Sequence, residues 1–407
     1  MYAQEEEQQS YTQRYVRPIM YCMQPCPEIF KQVNMKNIDT LHLYVDVKNS
    51  STNLFIPDAV KDIVETGRKL KSKLESSIFQ SIIVTASNWI NFCKQNNLKY
   101  KIIFCNDKGG STYHKEINKL YKANRKITNV ILEHYKEEIE VTKYQNWKLA
   151  EIICNKLNDV HFINLDFLES DFIPYYLVTR YYKENNNILH VLSSNDKDHF
   201  QYLNLPNTLM FSRKSGTTVI YDNKSYLNRF IKIKDLSTNK QAEWIKIMSE
   251  IDLQYINVVM ALCGDVSDNV KGLYKIGEKM AAKMIVEKEV VDKLIGPIEE
   301  AEKRVMNGGK LLIEDAIPLS KLSKQWVQAI QENAVVTAAF KQISYEALIN
   351  WLEKRDTLPK KEHLDKIHDN INKEYEMDEN RESTIVDTIQ RLEDCVLTEE
   401  NLYPIFN

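Results

Sequence analysis

The chain has 407 residues, 43% of them hydrophobic, and a formal net charge of −3. That length can bury a large core in one or two domains, and the charge excludes a protein that coats nucleic acid through overall basicity. No run approaches the roughly 18 apolar residues of a membrane span, and Glu5, Glu6 and Glu7 stand where a signal peptide would be positive.

Residues 1–38 are polar, rich in Gln and Glu, and carry Pro18, Pro25 and Pro27; they read as a loosely docked arm. The pattern then changes. Leu41 to Val45 is a buried strand ending at Asp46, and Leu70 to Cys93 is apolar at helical spacing. Tyr100 to Phe104 is a second strand, with Asp107 just beyond it. A charged stretch from about Lys115 to Leu157 reads as helical, with an arch near 113–145. His161 to Leu165 and Ile188 to Leu192 are a third and a fourth strand, separated by a helix over Asp171 to Tyr182. Phe211 and Val219-Ile220 mark further short strands. Strands alternating with helices predict an α/β fold, a mainly parallel central sheet with helices on both faces. After Ala242 the chain reads as helical. The expected division is a 39–240 α/β domain, a 241–350 helical DNA-binding region, and a 351–407 charged linker with a C-terminal helix.

Eight carboxylates stand out: Asp46, Asp107, Glu169, Asp171, Asp196, Asp198, Asp265 and Asp268. The first six fall just past a predicted strand or open the helix after it. In a parallel sheet, ligands bind beyond the carboxyl ends of the strands, so fold and chemistry agree. Mg²⁺ and Mn²⁺ take hard oxygen ligands. Two such ions can activate a water and stabilise the leaving oxygen of a phosphodiester. Taken singly, Asp171 and Asp196 also read as helix N-caps, and Asp107 as a turn residue beside Gly109 and Gly110. Asp265 and Asp268 fit one face of a helical turn. The charge is uneven as well. From Lys99 to Lys126 eight basic residues face only Asp107 and Glu116, and a second basic stretch holds Lys271, Lys275, Lys279 and Lys283. Each patch suits a phosphate grip or, more plainly, a solvated helix face. The seven cysteines form no C-x-x-C pair, which suits reduced thiols in a cytosol-like compartment.

From about Leu41 to Ile285 the chain resembles the 5′ nucleases, a family with a PIN-like nuclease domain that includes flap endonucleases and bacteriophage 5′–3′ exonucleases. The residues that carry the resemblance are Tyr44-Val45-Asp46, Asn106 to Ser111, Tyr121 to Arg125, Leu168 to Asp171, Ser194 to Asp198, and Gly264 to Gly277. It departs from that family's pattern at Val47, Phe172 and Lys275. The resemblance implies that the eight acids hold two Mg²⁺ or Mn²⁺ ions, with Asp171 and Asp196 among the catalytic residues. It implies that Lys122 and Arg125 contact the scissile phosphate; at i, i+3 on a helix both would face one anion. Tyr121 would stack on a base or pack the arch base, and Lys126 would add a DNA contact. It further implies that Gly272 to Lys283 forms a helix–hairpin–helix. There Gly272, Lys275, Gly277, Lys279 and Lys283 would grip duplex DNA, with K⁺ on backbone carbonyls.

The function so implied is a 5′–3′ exonuclease and flap endonuclease that leaves a 5′-phosphate, working in replication or repair. Its substrates would be DNA with a 5′ flap, overhang or nick, and RNA primers in RNA–DNA hybrids. A cytoplasmic monomer is expected, in a bacterium or a phage-infected host, meeting replication proteins through its terminal arms. Two other readings are a catalytically inactive DNA-junction-binding protein that keeps the fold, and a PIN-like ribonuclease.

Overall fold

The computed structural model describes residues 35–47, 70–107, 111–125, 130–154, 159–165, 168–214, 217–223, 253–273, 276–286 and 334–355, with a few isolated positions besides. The expected terminal arms lie almost wholly outside this set, as do Lys126 and Lys275 and the side chains of Lys279 and Lys283.

Six strands form the central sheet: β1 (Thr40–Asp46), β2 (Lys99–Asp107), β3 (Val160–Leu165), β4 (Ile188–Ser193), β5 (Thr208–Lys214) and β6 (Thr217–Tyr221). Their order is β3-β2-β1-β4-β5-β6. All neighbours are parallel except β5 and β6, which close one edge as an antiparallel pair. The fold is therefore α/β with a mainly parallel sheet. β1 and β4 are buried almost throughout, which is why each reads as an unbroken apolar run rather than an alternating one.

Both faces of the sheet are covered. On one face Leu41, Leu43, Val45, Ile102, Phe104, Leu189 and Val191 pack with Trp89 and Ile153. These two come from α1 (Leu70–Gln95) and α4 (Lys136–Cys154). On the other face Tyr44, Ile103, Cys105 and Leu192 meet Phe172, Tyr176, Leu348 and Ile349. These belong to α5 (Phe172–Arg180) and α9 (Tyr345–Lys354). Phe172, one of the departures noted from the sequence, is fully buried in this layer, and Val47 is buried as well. Both departures thus serve the core.

The charged stretch expected as one helix is divided. It contains α2 (Thr112–Ile117), α3 (Val130–His134) and α4, and residues 118–125 between α2 and α3 turn back on themselves. Lys122 sits there with φ +56°, so Lys122 and Arg125 do not share a helix face. The reason is tertiary: that segment is hydrogen-bonded to a hairpin more than a hundred residues away.

That hairpin follows α6 (Ile256–Cys263). It pairs β7 (Gly264–Asp265) with β8 (Val270–Lys271) and leads on to α7 (Glu278–Val286). Asp265 and Asp268 therefore lie in a strand and a turn, not on a helical face. Gly264 adopts φ +65°, and a Cβ built there would lie 2.2 Å from the Gly272 backbone nitrogen. A Cβ on Gly272 would lie 2.2 Å from the Cys263 carbonyl carbon. Gly272 thus lets one arm of the hairpin cross the other, a role internal to the fold. Gly277 has open space around it. Two further helices, α8 (Ala334–Ile343) and α9, follow. Of these, α9 runs across residue 350, where a change of region was expected. Among the described residues no helix is long and apolar enough to cross a membrane.

Candidate active site

The chain leaves β1 in one direction along the sheet, through β2 and β3, and returns to β4 on the far side of β1. The strand order reverses between β1 and β4, and in open parallel sheets ligands bind at such a point, beyond the carboxyl ends of the strands. Asp46 ends β1, Asp107 ends β2, and Asp196 and Asp198 follow β4. Glu169 and Asp171 precede α5, and the hairpin brings Asp265 and Asp268.

These acids act on one another. Asp171 has its pKa raised by burial first and by Glu169 next, with Asp196 adding to them. Asp198 is raised well above the usual carboxylate range by burial, then by Asp196, Asp265, Asp171 and Asp268. So much negative charge in a desolvated pocket is unfavourable unless cations accompany it. Lys122 Nζ lies 2.6 Å from Glu169 Oε1 and 3.5 Å from Asp268 Oδ2. Burial opposes the ammonium, but Glu169, Asp171 and Asp268 outweigh it and raise its pKa. Arg125 donates to Asp268. Burial pushes the Asp268 carboxyl up, yet Lys122 and Arg125 bring it below its ordinary value. Lys197 Nζ is 3.3 Å from Asp265 Oδ2. His199, fully buried, faces Asp46 at 3.6 Å. Its desolvation is overcome by Asp46, Asp171 and Asp196, which raise its pKa.

Tyr121 does not present its ring for stacking. The ring is buried and lies against His114, with centroids 4.4 Å apart and planes 12° from parallel. Its hydroxyl donates to Glu169 Oε2 at 3.1 Å and Asp268 Oδ2 at 2.9 Å. The whole 118–125 turn is seated on the hairpin. Lys122 N donates to Asp268 O at 2.9 Å. Asn124 Nδ2 donates to Val266 O at 2.7 Å, and Asn269 Nδ2 to Leu120 O at 2.8 Å. A positive φ disfavours lysine by roughly 1–3 kcal/mol, and this lattice of bonds holds Lys122 there, its ammonium among the acids.

The capping readings separate. Asp196 accepts from Asp198 N at 3.1 Å and so caps the 3₁₀ helix Lys197–Asn204. Asp171 makes no side-chain capping bond at α5. Asp107 Oδ1 accepts from Ser170 N at 2.5 Å, which ties the end of β2 to the Glu169–Asp171 segment. Ser194 Oγ donates to Asp46 Oδ2 at 3.1 Å. Ser194 and Lys197, quoted from the sequence only as part of a motif, and His199, not quoted at all, lie beside these acids. Tyr345, whose hydroxyl donates to Asp171 Oδ2 at 3.0 Å, left no signal at all.

A divalent ion fits the chemistry of this set. The donors are hard oxygens, and Asp198 Oδ1 is buried with no hydrogen-bond partner. They are not a preformed cage, since among the described residues no three His, Cys, Asp or Glu side chains draw together as ligands of one ion. Lysine and arginine side chains stand among the carboxylates instead, as their mutual repulsion requires.

No family model matches the chain, and no curated protein matches it. Solved structures do. Bacteriophage T5 5′-exonuclease with bound zinc is 16% identical at a TM-score of 0.47, covering 82% of this chain and 98% of that one. The T5 flap endonuclease in a pseudo-enzyme–product complex with DNA and metal ions is 16% identical at 0.45, covering 86% and 99%. The catalytic core of Rad2 with a DNA substrate is 11% identical at 0.35, covering 92% and 94%. Likenesses of that degree leave the chemistry to this chain's own side chains.

Proposed function

We propose that the chain is a divalent-metal-dependent 5′ nuclease that hydrolyses DNA at or near the junction of a 5′ single strand and duplex, leaving a 5′-phosphate. The observation that carries this reading is that acids from separate elements act on one another while Lys122 and Arg125 pair with two of them, Glu169 and Asp268. Asp46, Asp107, Glu169, Asp171, Asp196, Asp198, Asp265 and Asp268 would hold two Mg²⁺ or Mn²⁺ ions. Such ions supply Lewis-acid charge for phosphodiester hydrolysis.

The protein's own part is positioning and charge. Tyr121 bridges Glu169 and Asp268 and so links the α/β domain to the hairpin. Lys122 stays protonated in the pocket, because three carboxylates surround it. With the carboxylates engaged elsewhere, Lys122 and Arg125 turn to the scissile phosphate and offset the negative charge that grows in the transition state. Exposed Lys271 and Gly277, which has open space around it, suit a grip on duplex phosphates without base reading. K⁺ at the Gly272–Gly277 turn, removal of RNA primers, and a place in replication or repair in the cytoplasm all extend this reading.

The test is a labelled 5′-flap substrate with Mg²⁺, with EDTA, and with Asp171→Asn or Asp196→Asn. Cleavage is expected only in the first condition, with junction binding kept in both variants. Normal cutting by either variant refutes the metal assignment. A second reading, a DNA-junction-binding protein without activity, draws on the ion pairs that Lys122, Arg125 and Lys197 make with the acids. Flap binding without cleavage at any Mg²⁺ concentration would favour it.

A further inference from the structure

The corner between α8 and α9 carries no motif, yet it is bonded to the elements that frame the acids. His114 Nε2 donates to Gln342 O at 2.6 Å, and Asn118 Nδ2 donates to Gln342 Oε1 at 2.9 Å. Gln201 Nε2 donates to Ile343 O at 2.9 Å and to Asp198 O at 3.1 Å, and its Oε1 accepts from Tyr345 N at 3.1 Å. Ser344 caps α9 by accepting from Ala347 N. Arg180 in α5 pairs with Glu346 at 3.0 Å and Glu353 at 3.4 Å, which fastens α9 along α5. The corner is therefore fixed with respect to Asp171, the residue just before α5.

Tyr345 is buried, with its ring 5.3 Å from Tyr175. Its hydroxyl donates to Asp171 Oδ2 at 3.0 Å. Asp171 spends no oxygen on capping α5, so this donor fixes its side-chain orientation. We propose that Tyr345 is a positioning residue: it holds Asp171 by Oδ2 and leaves Oδ1 for a divalent cation. The C-terminal helices thereby belong to the metal site, though they contribute no acid to it. This rests on the metal-dependent nuclease reading.

The experiment is a calorimetric Mn²⁺ titration of the full chain, comparing wild type, Tyr345→Phe and Tyr175→Phe. Tyr345→Phe keeps the ring and removes only the donor. Loss of a group that orients a metal ligand weakens binding by about 10–100-fold, so at least a tenfold drop in Mn²⁺ affinity is expected for Tyr345→Phe and none for Tyr175→Phe. The Mg²⁺ concentration for half-maximal flap cleavage should rise by the same factor, with the rate recovered at saturating Mg²⁺. Unchanged Mn²⁺ affinity in Tyr345→Phe, whatever its melting temperature, overturns the proposal and leaves the nuclease reading standing. If the wild-type chain itself takes up no Mn²⁺, both fall together.

Discussion

Gly264→Ala is the sharpest perturbation the hairpin allows. The native residue has φ +65° and ψ −175°, a region only glycine occupies freely, and an alanine held there costs roughly 1–3 kcal/mol. The added Cβ would also lie 2.2 Å from Gly272 N and 2.6 Å from Val270 O. Both are backbone atoms, so no rotamer change relieves the contact and the arms must part. Overpacking of this kind costs about 1–3 kcal/mol more. The expected loss is therefore about 2–6 kcal/mol, read as a fall in the urea midpoint at constant slope. Gly272→Ala meets the same crossing from the other side, 2.2 Å from the Cys263 carbonyl carbon. One opening relieves both clashes, so the double variant should lose clearly less than the sum. Parting the arms also moves Asp265 and Ser267, which are joined by a 2.6 Å hydrogen bond, so nuclease activity should fall with stability. A loss below about 0.5 kcal/mol, the range of an ordinary surface change, would mean that the hairpin does not cross as described.

Two further outcomes are expected. Lys122→Ala takes the ammonium from Glu169 and Asp268; the loss of a part-buried hydrogen bond to a charged group costs about 1.5–3 kcal/mol. Its melting temperature in EDTA should drop, Mg²⁺ should restore more of it than in wild type, and cleavage should fall by orders of magnitude even at saturating metal; full activity would remove Lys122 from the reaction. His42 and His190 face each other across β1 and β4 and share the Tyr44 hydroxyl at 3.5 and 3.1 Å. Burial lowers their pKa values to about 2 and about 3. The unfolded chain then binds protons that the folded one refuses. Stability is complete above about pH 6.5 and declines as pH falls below it, by up to about 1.4 kcal/mol per pH unit for each histidine. Urea midpoints between pH 7 and 5 should show this slope, and His190→Gln should flatten it; parallel slopes in variant and wild type would show that the pair does not stay neutral.

The arrangement of strands was legible because burial on both faces writes a continuous apolar run. Leu41–Val45 and Ile188–Leu192 each grow by only a residue or two in β1 and β4. Acids at the ends of such runs are equally visible, since a parallel sheet sends every strand's carboxyl end to the same edge. The stretch around Lys122 was legible in type but not in shape. Its residues favour helix, and the bonds that impose a turn come from Val266, Asp268 and Asn269. For Tyr121 the sequence left base stacking and packing of the arch base both open, and the contact with His114 decides for packing.

The chain's own order of residues thus determined the strands and the sheet edge to which the acids at their ends, Asp46 and Asp107, are carried. Local pattern suffices there, because burial periodicity and strand ends are properties of neighbouring residues. Only the tertiary structure decided that Lys122, Arg125 and Lys197 sit on those carboxylates, that Tyr121 bridges two of them, and that Tyr345 reaches Asp171 from 174 residues away. Hydrogen bonds and ion pairs across such separations depend on where the packed layers bring the chain, and no short-range pattern encodes that.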